Sequence, residues 1–275
     1  MIRRQGGYTI IEVLIVLAVS GAILASSIAI FSGQRAATQF SQSVFDIQSK
    51  FQSYSTQVSS ASIPSGYTCS LNLDSNTGNN YPALTLNASQ SSDSTSNQDC
   101  IYLGKAIQVI PGSDTIYVYP VLGTRTIWNG TTDTGNFPGT PDQANPEPAL
   151  DTNGNYVLSE PYTLLSGTTV VSAKVSGSST ERDLLMFYSN LQDTNTSGNE
   201  ATAYTRDYTF SQADVASARL RSCIQDGTCG SSPAVKLGSA TWQLCVVSSD
   251  GSRKSQLNIQ NSPTGFTTKT QEGCS

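Results

Sequence analysis

Apolar residues are arranged along this 275-residue chain in three ways. From Tyr8 to Phe31 they run almost without a break (YTIIEVLIVLAVSGAILASSIAIF), and from Phe40 to Val58 they recur at helical spacing. Beyond Ala61 they come in short runs between turn-forming residues. The first pattern predicts a helix of roughly 36 Å, enough to cross ~30 Å of hydrocarbon. In the second, Phe40, Val44, Ile47, Phe51, Tyr54 and Val58 follow one another by 4, 3, 4, 3 and 4 positions, which puts all six on one stripe. Gln39, Gln42, Ser43, Gln48, Ser49, Lys50 and Gln57 fill the other positions, so one face is expected to be buried and the other wet. A coiled coil competes with this reading, but little more than two heptads is short for one, and packing against the chain's own sheet is expected. Residues 8 to 58 then make one helix of roughly 76 Å, with Gly33 as a soft break near its middle.

The third pattern predicts strands at Ala83–Leu86, Ala106–Ile110, Thr115–Leu122, Thr168–Val175, Asp183–Tyr188, Ala234–Leu237, Thr241–Val247 and Ser255–Ile259. Two hairpins stand out, one turning through Pro111, Gly112, Ser113 and Asp114, the other through Asp250 and Gly251. A short helix is expected over residues 211–224, opened by Ser211 and Asp214. Connections rich in Asn, Gly, Ser and Pro cover 65–82, 87–99, 129–155 and 189–205, and loops of that size are binding surfaces or flexible edges. The fold class is α+β: a long N-terminal helix packed on an antiparallel β-sheet head with long loops.

Charge narrows the function. Only 13% of residues are charged and the net charge is −5, which argues against a nucleic-acid partner because no dense basic run is present. Arg219, Arg221, Arg253 and Lys254 read as a solvated face. The chain has no histidine, which excludes Ser/His and Cys/His nucleophile pairs and His-containing metal sites. Neither a nucleophile elbow nor Ser-x-x-Lys occurs, and Glu181 with Asp183 has nothing around it that suggests acid/base work. Asp151, Asn153 and Asn155 alternate as in a calcium loop, yet the glycine comes one place early and no Glu closes the loop, so an Asn-Gly turn is the better reading. No metal, cofactor or enzymatic activity is expected. The sequons at Asn87, Asn129 and Asn195 are weak in a chain this rich in Ser, Thr and Asn.

All six cysteines, Cys69, Cys100, Cys223, Cys229, Cys245 and Cys274, lie beyond the long apolar run, as expected of disulfides in an oxidising compartment. Locality suggests Cys69 with Cys100, Cys223 with Cys229, and Cys245 with Cys274, one of about fifteen possible connectivities.

Between Arg4 and Arg35 the only ionisable side chain is Glu12. Arg3 and Arg4 precede the apolar run and a single Arg35 follows it, so the positive-inside bias keeps the short N-terminal segment in the cytoplasm and the head outside. A secretory signal peptide or a plain anchor would fit the hydrophobicity, but neither explains Glu12. A carboxylate within an apolar span costs ~2.5–3.5 kcal/mol on insertion scales and is rarely kept without a partner or a purpose.

Gly6, Gly7, Tyr8, Thr9, Ile10, Ile11, Glu12 and Val13 together resemble the processing site of type IV prepilins and type II secretion pseudopilins. The resemblance is close over residues 4 to about 32 and weak beyond. It implies a leader at 1–7, cut after Gly7 by a prepilin peptidase that also N-methylates Tyr8, and a glutamate at the fifth mature position, Glu12. It also implies a transmembrane assembly helix over 8–31, continued as an amphipathic half over 32–58, and an extracytoplasmic head over 59–275. The expected partners are that peptidase, other pilin or pseudopilin subunits, and membrane lipid before assembly; Glu12 would pair with the Tyr8 amine of a neighbour. The expected role is a structural one, as a minor pilin or pseudopilin of a cell-surface or periplasmic filament, because the family's main subunits generally have smaller heads. A filament-tip adhesin, or a membrane-anchored binding domain unrelated to filaments, is the alternative. One departure is that Ile28, Ala29 and Ile30 stand where pilins often have a proline.

Overall fold

The computed structural model describes residues 9–59, 67–72, 83–88, 100–129, 132–139, 141–149, 161–179, 181, 184–188, 204–208, 228–229, 232–233, 235–236, 241–262 and 265–274. A single helix, α1 (Ile10–Ser59), carries both the uniformly apolar run and the amphipathic stretch. It passes through Gly33 without a break. One glycine costs about 1 kcal/mol in a helix, too little to interrupt a ladder already propagating on both sides.

The strands follow in order. The first nine are β1 (Tyr67–Asn72), β2 (Ala83–Ala88), β3 (Cys100–Val109), β4 (Thr115–Thr124), β5 (Trp128–Asn129), β6 (Thr132–Asp133), β7 (Glu147–Pro148), β8 (Tyr162–Thr163) and β9 (Thr169–Val175). The others are β10 (Leu184–Tyr188), β11 (Tyr204–Tyr208), β12 (Thr228–Cys229), β13 (Ser232–Pro233), β14 (Val235–Lys236), β15 (Thr241–Val247), β16 (Lys254–Ser262) and β17 (Gly265–Glu272). Two sheets hold the core. One runs β14-β11-β10-β3-β4-β7 with β8 also on β4, and the other runs β17-β16-β15-β9. Every strand pair in them is antiparallel, so the fold is α+β.

Alternation on the strands supplies the floor on which the helix lies. In β3 and β4, Ile107 faces Val118 across the ladder and Val109 faces Ile116. In the second sheet, Trp242 is opposite Ile259 and Leu244 opposite Leu257. All eight are buried in one cluster with the helix stripe. The β3–β4 turn joins the two sheets: Gly112 N–H donates to Val170 O at 2.8 Å and Val170 N–H to Ser113 O at 2.9 Å. Gly112 has φ +82°, a conformation that disfavours a Cβ, and this gives the turn residue its reason.

Several strands lie where loops were expected. β1 falls within 65–82, β6 and β7 within 129–155, and β11 extends past the 189–205 connection. β17 (GFTTKTQE) was missed because it has almost no apolar alternation; it is an edge strand, rich in β-branched Thr, and only Thr268 is buried on it among the side chains described. The helix expected at 211–224 and the loop at 151–155 lie outside the described residues.

Candidate functional site

The first turn of α1 is closed by side chains. Thr9 N–H and Thr9 Oγ1 both donate to Glu12 Oε2 at 2.9 Å, and Glu12 N–H donates back to Thr9 Oγ1 at 3.4 Å. This is a capping box, Thr-x-x-Glu, in which two otherwise orphaned backbone donors are satisfied reciprocally. The carboxylate also lies at the positive end of the helix dipole. The motif is visible at 9–12 in the sequence and gives Glu12 a role in the helix end beside that of its charge.

From there the stem is bare. Ile10 is 82% exposed and Leu17 63%, and Ile28, five turns on, is still 62% exposed. The helix is long and apolar enough to cross a membrane. Its two hydroxyls at 26 and 27 turn inward: Ser26 Oγ donates to Ala22 O at 2.8 Å and Ser27 Oγ to Ile23 O at 2.9 Å. Such back-bonding satisfies these two donors where hydrocarbon would otherwise face them.

Past Phe40 the same helix is clamped. Phe40, Val44, Ile47, Phe51, Tyr54 and Val58 are all buried in the common core. Phe51 stacks on Trp242 with ring centroids 6.2 Å apart and meets Tyr54 at 6.1 Å. Polar contacts fix the register around this stripe. Tyr162 O–H donates to Asp46 Oδ2. Burial first, and then that bond and the negative charge of Asp46, raise the Tyr162 pKa far above the ordinary phenol value, so the proton stays on the donor. Lys50 Nζ lies 5.8 Å from the Tyr162 ring centroid, and Lys105 Nζ lies 4.7 Å from that of Tyr54. Gln48 Nε2 donates to Thr268 O at 3.1 Å, covering the outer edge of β17. Gln48 was expected on the wet face and instead reaches the sheet, and Asp46 and Lys105 carry no local pattern that marks them, because their partners are distant in the chain. Glu147, also buried, pairs with Leu122 at a register position that puts it on the same sheet face as Lys105 opposite Pro120.

Of the other residues singled out from sequence, Gly7 and Tyr8 lie outside the described residues. Cys245 and Cys274 form a disulfide with Cα atoms 5.7 Å apart, tying the end of the chain across β16 to β15. Cys100 is also disulfide-bonded. Cys69 lies in β1 and Cys229 in β12, and Cys223 lies outside the described residues. Among the described residues no three His, Cys, Asp or Glu side chains gather as a metal ion would require.

The sequence match falls on the stem. The family described as the prokaryotic N-terminal methylation motif matches residues 2–28. The chain therefore carries the leader signature of the type IV pilin class, on a long apolar helix joined to antiparallel sheets. No curated protein and no solved structure matches the chain.

Proposed function

We propose that the chain is a structural subunit, a minor pilin or pseudopilin, of a type IV pilus or type II secretion filament. Its leader would be cut after Gly7 by a prepilin peptidase and Tyr8 methylated, with the head outside the cytoplasm. The observation that carries this reading is the bare apolar stem with one carboxylate, Glu12, in its first turn, under the matched methylation motif. A stem of this kind needs a nonpolar surround, first lipid and then the stems of other subunits. Once the leader is removed, the Tyr8 amine of one subunit is the natural counter-ion for Glu12 of the next, because an unpaired carboxylate in low dielectric is strongly unfavourable.

The capping box sharpens the test. Glu12→Gln keeps an N3 side chain able to bond the Thr9 amide but removes the charge, whereas Glu12→Val removes both. If Glu12 pairs with a neighbour, both variants insert into membrane normally and both are depleted from the sheared filament fraction. Normal incorporation of Glu12→Gln would reduce Glu12 to a helix cap and remove the proposed pairing.

A further inference from the structure

Resting on the reading that α1 crosses a membrane, we propose that the underside of the head is a second membrane contact, docking on the phospholipid headgroup layer around the stem. α1 is one helix from Ile10 to Ser59, so its rise sets the height of the head above the bilayer. Between Phe31, where the apolar run ends, and the span Ala36 to Phe40, the rise is roughly 8–14 Å. A headgroup layer is about 5–8 Å deep on each side of the hydrocarbon. The lowest parts of the head therefore stand at its outer surface.

Several loops meet the helix at that level. Ser166, Ser248, Asp250 and Arg253 line a cavity of about 80 Å³ against Ala36 and Phe40. Arg253, Lys254, Thr270 and Glu272 line a larger cleft of about 590 Å³ whose lower part lies against Ala37 and Phe40. The β3–β4 turn belongs to the same end, through the bonds of Gly112 and Ser113 to Val170 at the start of β9.

The charges there are mixed. Arg35, Arg253 and Lys254 are exposed, and so are Asp114, Asp250 and Glu272. Three cations beside three carboxylates suit a surface that itself bears both signs, the phosphate and ammonium of a zwitterionic phospholipid, better than a strongly anionic one. Arg and Lys reach such phosphates while their stems stay on the protein. Leu165, in the loop that packs on α1, is 47% exposed and supplies an apolar contact at the same level.

The test uses the full chain reconstituted in zwitterionic vesicles containing a phospholipid spin-labelled on its headgroup. Leu165→Trp places a fluorophore on the underside and Thr267→Trp places one at the opposite end of β17, with the emission of Trp128 and Trp242 in the parent subtracted. The underside reporter is expected to lose most of its added emission to the spin label and the distal one almost none. Arg253→Glu with Lys254→Glu should restore part of that emission. As a check that does not depend on Leu165→Trp folding, amides 248–253 of the parent should exchange more slowly in vesicles than in detergent micelles. Equal quenching at both ends with unchanged amide exchange, in protein that floats with the vesicles, overturns the docking surface and leaves the spanning stem intact; an underside packed on a second copy gives that result. Protein that fails to float with the vesicles overturns the spanning stem and this proposal with it.

Discussion

The two halves of α1 belong to one unbroken helix and differ almost wholly in what surrounds them. Ile10 to Ile28 leaves its large side chains in the open, with Leu14 60% exposed, whereas Phe51, some ten turns further on, is 0% exposed. The difference was written in the polar residues more than in the apolar ones. The first half has no wet face to choose, so no single direction can be the inside, and only an apolar surround satisfies it. The second half has a stripe, and a stripe has a direction in which a sheet can be placed. Burial in a helix is thus decided by how its polar residues are distributed, and a run that is apolar all round calls for a partner outside the chain.

The contrast can be broken most severely at the clamp. Phe51→Ala should destabilise the head by about 3–5 kcal/mol, the usual cost of emptying an aromatic site in a core. Leu14→Ala in the stem should change head stability by less than about 0.5 kcal/mol. Denaturant unfolding followed by the fluorescence of Trp242, which Phe51 touches, measures both. Equal effects would mean that the halves are not energetically distinct.

A pair of glycines sharpens the point. A Cβ at Gly123 in β4 would come within 2.5 Å of Leu103 Cδ1 and 2.8 Å of Ala144 O, so Gly123→Ala should cost about 1–3 kcal/mol of head stability. Gly33 sits between the halves with nothing within 4 Å of such an atom, so Gly33→Ala should stiffen the joint and gain up to about 1 kcal/mol of helix stability. Circular dichroism of the full chain in micelles, together with its unfolding midpoint, reads both signs.

The smallest effect is expected at the β15–β16 turn. Asp250 accepts from Ser248 Oγ, and at 3.0 and 2.8 Å from Ser252 N–H and Oγ, and these bonds hold its carboxyl down at about 2 against an ordinary 3.8. The folded chain therefore favours the ionised form more than the unfolded chain does. The contribution is complete above about pH 4 and is lost as pH falls toward 2. Asp250→Asn should flatten the stability curve over that acidic window by lowering stability slightly at neutral pH, where the contribution is complete, and meeting the parent near pH 2; the effect is small because the group is fully exposed.

Much of this organisation was legible. The stripe spacing named the helix residues that meet the sheet, and Pro-Gly and Asp-Gly turns located the β3–β4 and β15–β16 hairpins. Strand edges and polar strands were harder to see. β17 carries Thr and Gln where apolar alternation would have marked it, and it owes its place to β16 on one side and to Gln48 of α1 on the other. The Asp46–Tyr162 bond joins residues 116 positions apart and leaves no trace in either local pattern. The Thr9 cap is legible in the sequence as Thr-x-x-Glu at the head of an apolar run, where Glu12 serves both the helix end and the charge argument.

The most direct measurement of the account is the mass of the mature N-terminal peptide from the membrane and filament fractions of the native host. A chain that begins at Tyr8 and carries an N-methyl group is the expected result. A chain that retains Met1 or Gly7, or that starts within or beyond the stem, would contradict it, because Glu12 would then have no adjacent α-amine to meet.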